Sequence, residues 1–441
     1  MTLKAALAWP TPRSENSHVE TIYLDHNATT PIHPEVVEAM ARAWRDGHAN
    51  PASQHQPGQK ARRVLEDARE EIAALLGADV TGPRPDRVIF TSGGTEANNL
   101  AVLGIAHASL RQGPTAHELG ASREGPLSTS ALRPAPSPSS IPTSAPGPAP
   151  SAPPQVIVSA IEHPSVLEPA QHLLDEGWRV DTLAVDTDGV ARVELLEDLL
   201  GPQTRLVSVM LGNHETGVLQ PVPRIAEICT RVGVPLHTDA VQAVGKLPVR
   251  FRELGVAAMS IGAHKFRGPL GIGALVVRDG VALEPLLFGG HQQWGLRPGT
   301  EPVALVVGML AALRIATRDQ AAHLERLTWL RDRLEAGLRS GTPDLVVNGA
   351  AAPRLPHTSS IAFPGLDGQI LLLALDMAGV ACSVGSACSS GSSELSPTLR
   401  AMGLPKEVLA GSLRFSLGTT TTVQEIDEAV RRILMVVNQL R

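Results

Sequence analysis

Ala257-Ala-Met-Ser-Ile-Gly-Ala-His-Lys265 reads as a short, mostly apolar strand that delivers its chain onto ionisable residues. Four upstream segments repeat this plan. Arg87 to Phe90 runs into Thr91-Ser-Gly-Gly-Thr95, and Gln155 to Ser159 runs into Glu162-His-Pro164. Leu206 to Leu211 leads to Gly212-Asn-His-Glu215, and Val234 to His237 leads to Thr238-Asp239. Each apolar run is followed by a turn and then a helical stretch. That alternation predicts an α/β fold with a mostly parallel sheet and helices on both faces. In such sheets ligands bind beyond the carboxyl ends of the strands, where the polar residues of this chain gather.

Working outward, Gln59 to Leu76 carries the apolar stripe Val64, Leu65, Ala68, Ile72 and Leu75 and reads as an amphipathic helix stopped by Gly77. Residues 112–154 lack any core-forming period. From Pro114 to Pro154, 11 of 41 residues are proline, which predicts a disordered or extended surface insertion. After about Thr300 longer helices take over, over Val303 to Ala316 and Ala321 to Leu338. Strands follow near Leu345 to Asn348, Ser359 to Phe363 and Leu413 to Ser416, then a helix over Val423 to Gln439. This predicts a second, smaller α+β domain.

At 441 residues the chain suits two or more domains. A net charge of −6 with no basic block argues against nucleic acid. No apolar run approaches the roughly 20 residues of a membrane span, and the start reads as no signal peptide. Three cysteines (Cys229, Cys382 and Cys388) make no disulfide framework, and a cytoplasmic setting fits.

Of the 38 basic residues only five are lysines. Arginine cannot form a Schiff base, because its guanidinium stays protonated. Lys265, beside His264 at a strand end, can be desolvated into a nucleophile; Lys246, in a turn, is the runner-up. Gly93-Gly94-Thr95 opens a helix, where small residues and the helix dipole suit either an anion or a simple cap. Asp239 at a strand end could hold a pyridinium N–H or serve a turn. His163 could stack on a planar ring or be structural. Arg414, within an apolar strand, calls for a carboxylate held bidentately or else faces water at an edge. Cys388 sits in a stretch, Ser383 to Ser393, in which 8 of 11 residues are Ser or Gly. That setting favours an exposed reactive thiol over a packed one. Cys382 raises a zinc or disulfide alternative, but no paired Cys/His set completes a metal site.

Together these segments resemble the IscS/NifS-type cysteine desulfurases of the class V aminotransferase superfamily. The matching motifs fall in family order: Tyr23-Leu-Asp-His-Asn-Ala-Thr-Thr30, Asn50-Pro-Ala-Ser-Gln-His55, Phe90-Thr-Ser-Gly-Gly-Thr-Glu-Ala-Asn-Asn99, Asn213-His-Glu-Thr-Gly217 and Thr238-Asp-Ala-Val-Gln242. Ala263-His-Lys-Phe-Arg-Gly-Pro269, Arg297-Pro-Gly-Thr300, Gly385-Ser-Ala-Cys-Ser-Ser-Gly391 and Arg414-Phe-Ser-Leu-Gly418 complete the set.

The resemblance implies a pyridoxal 5'-phosphate fold type I enzyme with a mostly parallel seven-stranded sheet. It implies an N-terminal segment (1–24) joining the small domain, a large cofactor-binding domain (25–302) and a small domain (303–441) carrying the cysteine loop. Lys265 would be the Schiff-base lysine and Asp239 the partner of the pyridine nitrogen. Gln242, Asn213 and His214 would lie at the ring, with His163 stacked on it and serving catalysis. Gly94, Thr95, Gly262 and His264 would surround the phosphate, and Thr300 would reach the phosphate of a neighbouring subunit in a homodimer. Arg414 and Asn27 would bind the substrate, L-cysteine. Cys388 would accept its sulfur as a persulfide, leaving L-alanine. The sulfur would pass to an iron–sulfur scaffold or a tRNA-thiolation relay. His214 replaces a usual Asn, Gly262 a usual Ser and Pro298 a usual Ser; the insertion at 112–154 is not a family feature. The rival readings are a selenocysteine lyase or cysteine-sulfinate desulfinase of the same superfamily, and a non-catalytic sulfur-transfer scaffold.

Overall fold

The computed structural model describes residues 21–47, 49–111, 152–385 and 395–441. Cys388, nearly all of the Pro-rich segment 112–154 and the first 20 residues lie outside these.

The chain enters as β1 (Ile22–Tyr23) and then builds the central sheet from β2 (Arg87–Thr91), β3 (Gln155–Ser159), β4 (Arg179–Leu183), β5 (Thr204–Ser208), β6 (Leu236–Asp239), β7 (Ala258–Gly262) and β8 (Gly273–Val277). The seven strands lie in the order β2-β8-β7-β6-β5-β3-β4, and only β8 runs against the rest. This is the mostly parallel sheet that the sequence predicts. β3 and β7 are buried at every residue, as strands covered on both faces must be. The period-two alternation sorts their side chains. Ile157 joins the core under the helices Gln56–Leu75 and Val303–Arg318, while Val156 and Val158 join the core under the helix Gly94–Arg111.

Because β2, β3, β5, β6 and β7 are parallel, Thr91, Ser159, Ser208, Asp239 and Gly262 finish at one edge. β8 returns so close to the turn after β2 that a Cβ on Gly273 would sit 2.6 Å from the Gly93 carbonyl carbon. Only glycine allows that crossing, and it fixes the Gly93-Gly94 turn over the end of β7.

A second core forms around β9 (Val346–Val347), β10 (Thr358–Ala362), β11 (Val380–Ala381) and β12 (Ser412–Ser416). β12, β10 and β9 make an antiparallel sheet, and β1 pairs parallel with β11. The helices Gln320–Gly341 and Val423–Leu440 contribute Leu330, Leu334 and Ile433, which pack with Phe363 and Phe415. Ile22 and Leu24 belong to this core too, so the start of the described chain crosses from the second core to the first. No helix among the described residues is long and apolar enough to cross a membrane.

Candidate active site

Three histidines followed closely by proline open helices here: His33, His55 and His163 each accept a backbone N–H in the first turn. Proline fits the first helical turn, where its missing N–H costs nothing. For His163 the consequence is chemical. Its Nδ1 accepts from Ser165 N at 3.1 Å, so the ring proton lies on Nε2. Burial lowers the His163 pKa, and Lys265 and Arg414 add to this while Asp239 opposes it. Asp239, Lys265 and Arg414 thus all act on His163, and the four residues converge from β6, β7, β12 and β3.

Asp239 ends β6 and is 7% exposed. Its Oδ1 accepts from Val241 N at 2.9 Å and its Oδ2 from Asn98 Nδ2 at 2.6 Å. Asn98 also donates to Ser165 Oγ at 2.8 Å, and Ser165 Oγ lies 2.8 Å from His163 Nδ1. A continuous hydrogen-bonded chain therefore runs from Asp239 through Asn98 and Ser165 to His163. Each carboxylate oxygen keeps a lone pair for a further donor.

Lys265 follows β7. Its Nζ donates to the carbonyls of Asn27 and Ala28, the latter at 2.8 Å. Gln242 Nε2 donates to the same Asn27 carbonyl at 3.1 Å, and Asn27 Nδ2 donates to the His214 carbonyl at 3.1 Å. His264 Nδ1 lies 3.2 Å from Thr29 Oγ1, and burial, with Lys265 and Lys246 nearby, pushes its pKa down to about 4.

Gly94 and Thr95 open the helix Gly94–Arg111, and first-turn N–H groups have no partner within a helix. A Cβ on Gly94 would strike Val241 Cγ2 at 2.7 Å, so the turn stays open only as glycine. A Cβ on Gly262 would find nothing closer than 3.6 Å, the nearest atoms being Gly94 N and Val241 Cγ1. A Cβ at residue 262 would meet only ordinary van der Waals contacts, so packing there does not require glycine.

Arg414 does not face water: it is 3% exposed. Its Nη2 donates to Asp25 Oδ1 at 2.6 Å and its Nη1 to the His214 carbonyl at 3.1 Å and the Gly385 carbonyl at 3.4 Å. The rings of His214 and His163 meet edge to face, 5.1 Å apart. Burial holds His214 well below the usual histidine pKa. Both flanks of the segment bearing Cys388 lie at Glu215: Gly385 packs so close that a Cβ there would lie 2.5 Å from Glu215 Oε2, and Ser396 Oγ donates to that oxygen at 2.5 Å. Cys388 itself lies outside the described residues, three beyond Gly385.

One expected residue sits differently. Asn213, expected at the cofactor ring, is wholly used by its own turn. Its Oδ1 accepts from Glu215 N and Thr216 N at 2.9 Å, and its Nδ2 donates to the Ile161 carbonyl at 3.0 Å and faces Met210 Sδ. It shapes the loop that carries His214 and leaves no polar atom for a ligand. Thr300, expected to reach the phosphate of a neighbouring subunit, is exposed and lines a cleft apart from Lys265, with Trp44, Asn50 and Pro302. Cys229 and Cys382 are desolvated, and burial pushes both thiols up to about 12, so neither is a ready nucleophile.

Sequence reasoning gave no role to Asn98, Ser165 or Asp25, and placed Lys246 only as the alternative to Lys265. A buried Asn in the apolar run Ala97-Asn-Asn-Leu-Ala101 was the available signal for the first. Lys246, read as a turn lysine, is buried, and its Nζ donates to the Lys265 carbonyl at 2.6 Å.

The sheet edge and its lysine, aspartate and histidine place this chain in a definite class: it belongs to the aminotransferase class-V family, whose model matches residues 22–117 and 143–429. Similar curated proteins include the cysteine desulfurase IscS of Dictyoglomus turgidum, 37% identical over 420 residues that make up 95% of each chain. The cysteine desulfurase NifS of Azotobacter vinelandii is 36% identical over 420 residues, covering 95% of this chain and 93% of that one. Among solved structures, a NifS-like protein superposes with a TM-score of 0.78 at 30% identity, over 95% of this chain and all (100%) of that one.

Proposed function

We propose that this chain is a pyridoxal-phosphate-dependent cysteine desulfurase that converts L-cysteine to L-alanine and carries the sulfur away on Cys388. The convergence of Lys265, Asp239 and His163 at one sheet edge, faced by Arg414 from the second sheet, carries this reading. The relatives' names support it.

The residues fit the cofactor. Gln242 Oε1, His214 Nδ1, Asn98 Oδ1 and Arg414 Nε are buried polar atoms without partners, a costly state that a polar ring and a carboxylate would relieve. The open turn at Gly94 and Thr95 is suited to a phosphate. Pyridoxal phosphate supplies an electron sink for the charge left when the substrate loses its Cα proton.

The chain's own residues do the rest. Lys265 would hold the cofactor and, once released from it, would take the Cα proton. Asp239, fixed by Asn98 and Val241, would accept the ring N–H. His163 would stack on the ring without adding a competing charge, with His214 and Gln242 beside it. Gly94, Thr95 and His264 would hold the phosphate, with one bond fewer at Gly262. Thr300 would act across the interface of a homodimer. Arg414 and Asn27 orient the substrate. The Cys388 thiolate attacks the substrate sulfur; the S–S bond forms as the Cβ–S bond breaks, and the electron pair stays with carbon.

In this reading residues 25–302 hold the cofactor, and 303–441, joined by the start of the chain, carry the cysteine loop. A free thiol at Cys388 suits the reducing cytoplasm. The acceptor is an iron–sulfur scaffold or a tRNA-thiolation relay. Assay of Cys388→Ala for alanine and sulfide tests the proposal. Loss of turnover with cofactor retained is expected; wild-type release of both products overturns the role of Cys388.

A further inference from the structure

A second cavity, of about 140 Å³, is lined by Lys265 but by none of Asp239, His163, Gln242 or Arg414. Two further cations stand on its wall beside Lys265. Lys246 is 7% exposed, and its recorded hydrogen bond goes to the Lys265 carbonyl. Arg267, half-buried, donates from Nε to the Pro31 carbonyl at 3.3 Å and from Nη1 to Thr419 Oγ1 at 3.2 Å.

Neither cation meets a carboxylate within ion-pair distance among the described residues. The one acid on the wall, Asp319, is taken by Arg318 at 2.8 Å. His26, also on the wall and 4% exposed, has an Nδ1 with no partner. The rest of the wall mixes apolar side chains, such as Phe266, Ile315 and Leu327, with polar ones, among them Thr30, His33, His323 and Thr419.

A buried cation without a counter-charge is costly, and a protein meets that cost by deprotonation or by an ion. Burial and the neighbouring Lys265 push Lys246 down to about 7, and burial lowers Arg267 as well. Arginine does not deprotonate, so the half-buried Arg267 keeps its charge against neutral acceptors at Pro31 and Thr419, and an anion would supply its counter-charge.

We propose that this cavity binds a small inorganic anion, a halide or a tetrahedral oxyanion, between Lys246 and Arg267, with His26 beside it. The bound anion holds Lys246 in its charged form with an N–H on the carbonyl of Lys265, and so steadies the backbone of the residue at the centre of the site. The inference stands on the cavity and not on the desulfurase reading, and its test needs no turnover.

Crystals of the cofactor-loaded protein are soaked separately in bromide and in selenate, and anomalous difference maps are computed at each absorption edge. The expected result, in at least one soak, is a peak in this cavity within roughly 3.5 Å of Lys246 Nζ, the reach of a charge-assisted contact. Lys246→Met should abolish that peak and Arg267→Met should reduce it several-fold. Empty cavities in both wild-type soaks, with ions ordered elsewhere on the surface, overturn the proposal. So does a peak that persists unchanged in both variants. The wild-type soaks decide the matter even if Lys246→Met does not fold.

Discussion

Replacing Arg414 by lysine separates the two tasks that its guanidinium performs. One is structural: Nη2 holds Asp25 at 2.6 Å, tying β12 to the chain that leaves β1. Lysine keeps a positive charge there and can hold Asp25. The other task is the substrate carboxylate. Arg414 Nε is buried without a partner, while Nη2 holds Asp25 and Nη1 donates to carbonyls at 3.1 and 3.4 Å, so the Nε N–H is the donor left for a substrate oxygen. Lysine cannot reproduce that set of planar donors. Loss of a charge-assisted hydrogen bond costs about 1.5–3 kcal/mol. At about 1.4 kcal/mol per factor of ten, kcat/KM for L-cysteine should fall about 10- to 150-fold, mainly through KM. The assay is alanine formation against cysteine concentration, with cofactor absorbance as the control for an intact site. A variant within twofold of wild type in kcat/KM, with full cofactor, would show that Arg414 does not hold the substrate.

Asp239→Ala should weaken cofactor binding by about 10- to 150-fold, the same charged-bond magnitude, and the check is an absorbance titration of cofactor-depleted protein. Unchanged affinity would remove Asp239 from the ring nitrogen. Asn98→Ala breaks the chain from Asp239 to His163 and should cost about 1–3 kcal/mol of stability, read by urea unfolding. Burial pushes the Glu162 carboxyl up to about 8 from its ordinary 4.5, so between those values the folded state keeps a proton that the unfolded state has lost. Stability should therefore fall as pH rises from about 4.5 to about 8. Glu162→Gln keeps an Oε1 acceptor for Ser159 and Met210 and should gain on wild type over that window, on the order of a few kcal/mol at most; a difference that is flat with pH refutes this assignment.

The residues that end parallel strands were legible because the sheet repeats one pattern: a buried apolar run, then a turn at the shared edge. Lys265, Asp239 and His163 fall there by the arithmetic of β7, β6 and β3. The glycine that lets β8 cross behind Gly93 was visible only as one of several after Lys265. Less legible was what supports these residues. Asn98 lies on a helix between two strands, and its partners come from residues 165 and 239, a contact between distant segments that no local period encodes. Lys246 looked like a turn lysine because sequence does not say that the distant helix Val303–Arg318 lies beside that turn. Asn213 sits among the motif residues yet spends itself on the turn, because buried backbone N–H groups at Glu215 and Thr216 demand an acceptor. Thr300 is exposed within one chain, so its proposed role depends on a second copy.

The most direct test of the account is to locate the sulfur. The cofactor-loaded protein is given L-cysteine without an acceptor, alkylated, digested and mapped by mass spectrometry. One extra sulfur atom on the peptide that contains Cys388, absent from Cys388→Ala and from Lys265→Ala, is the result expected. Undiminished alanine production by Cys388→Ala, with the sulfur found on Cys382, Cys229 or no cysteine at all, would contradict it.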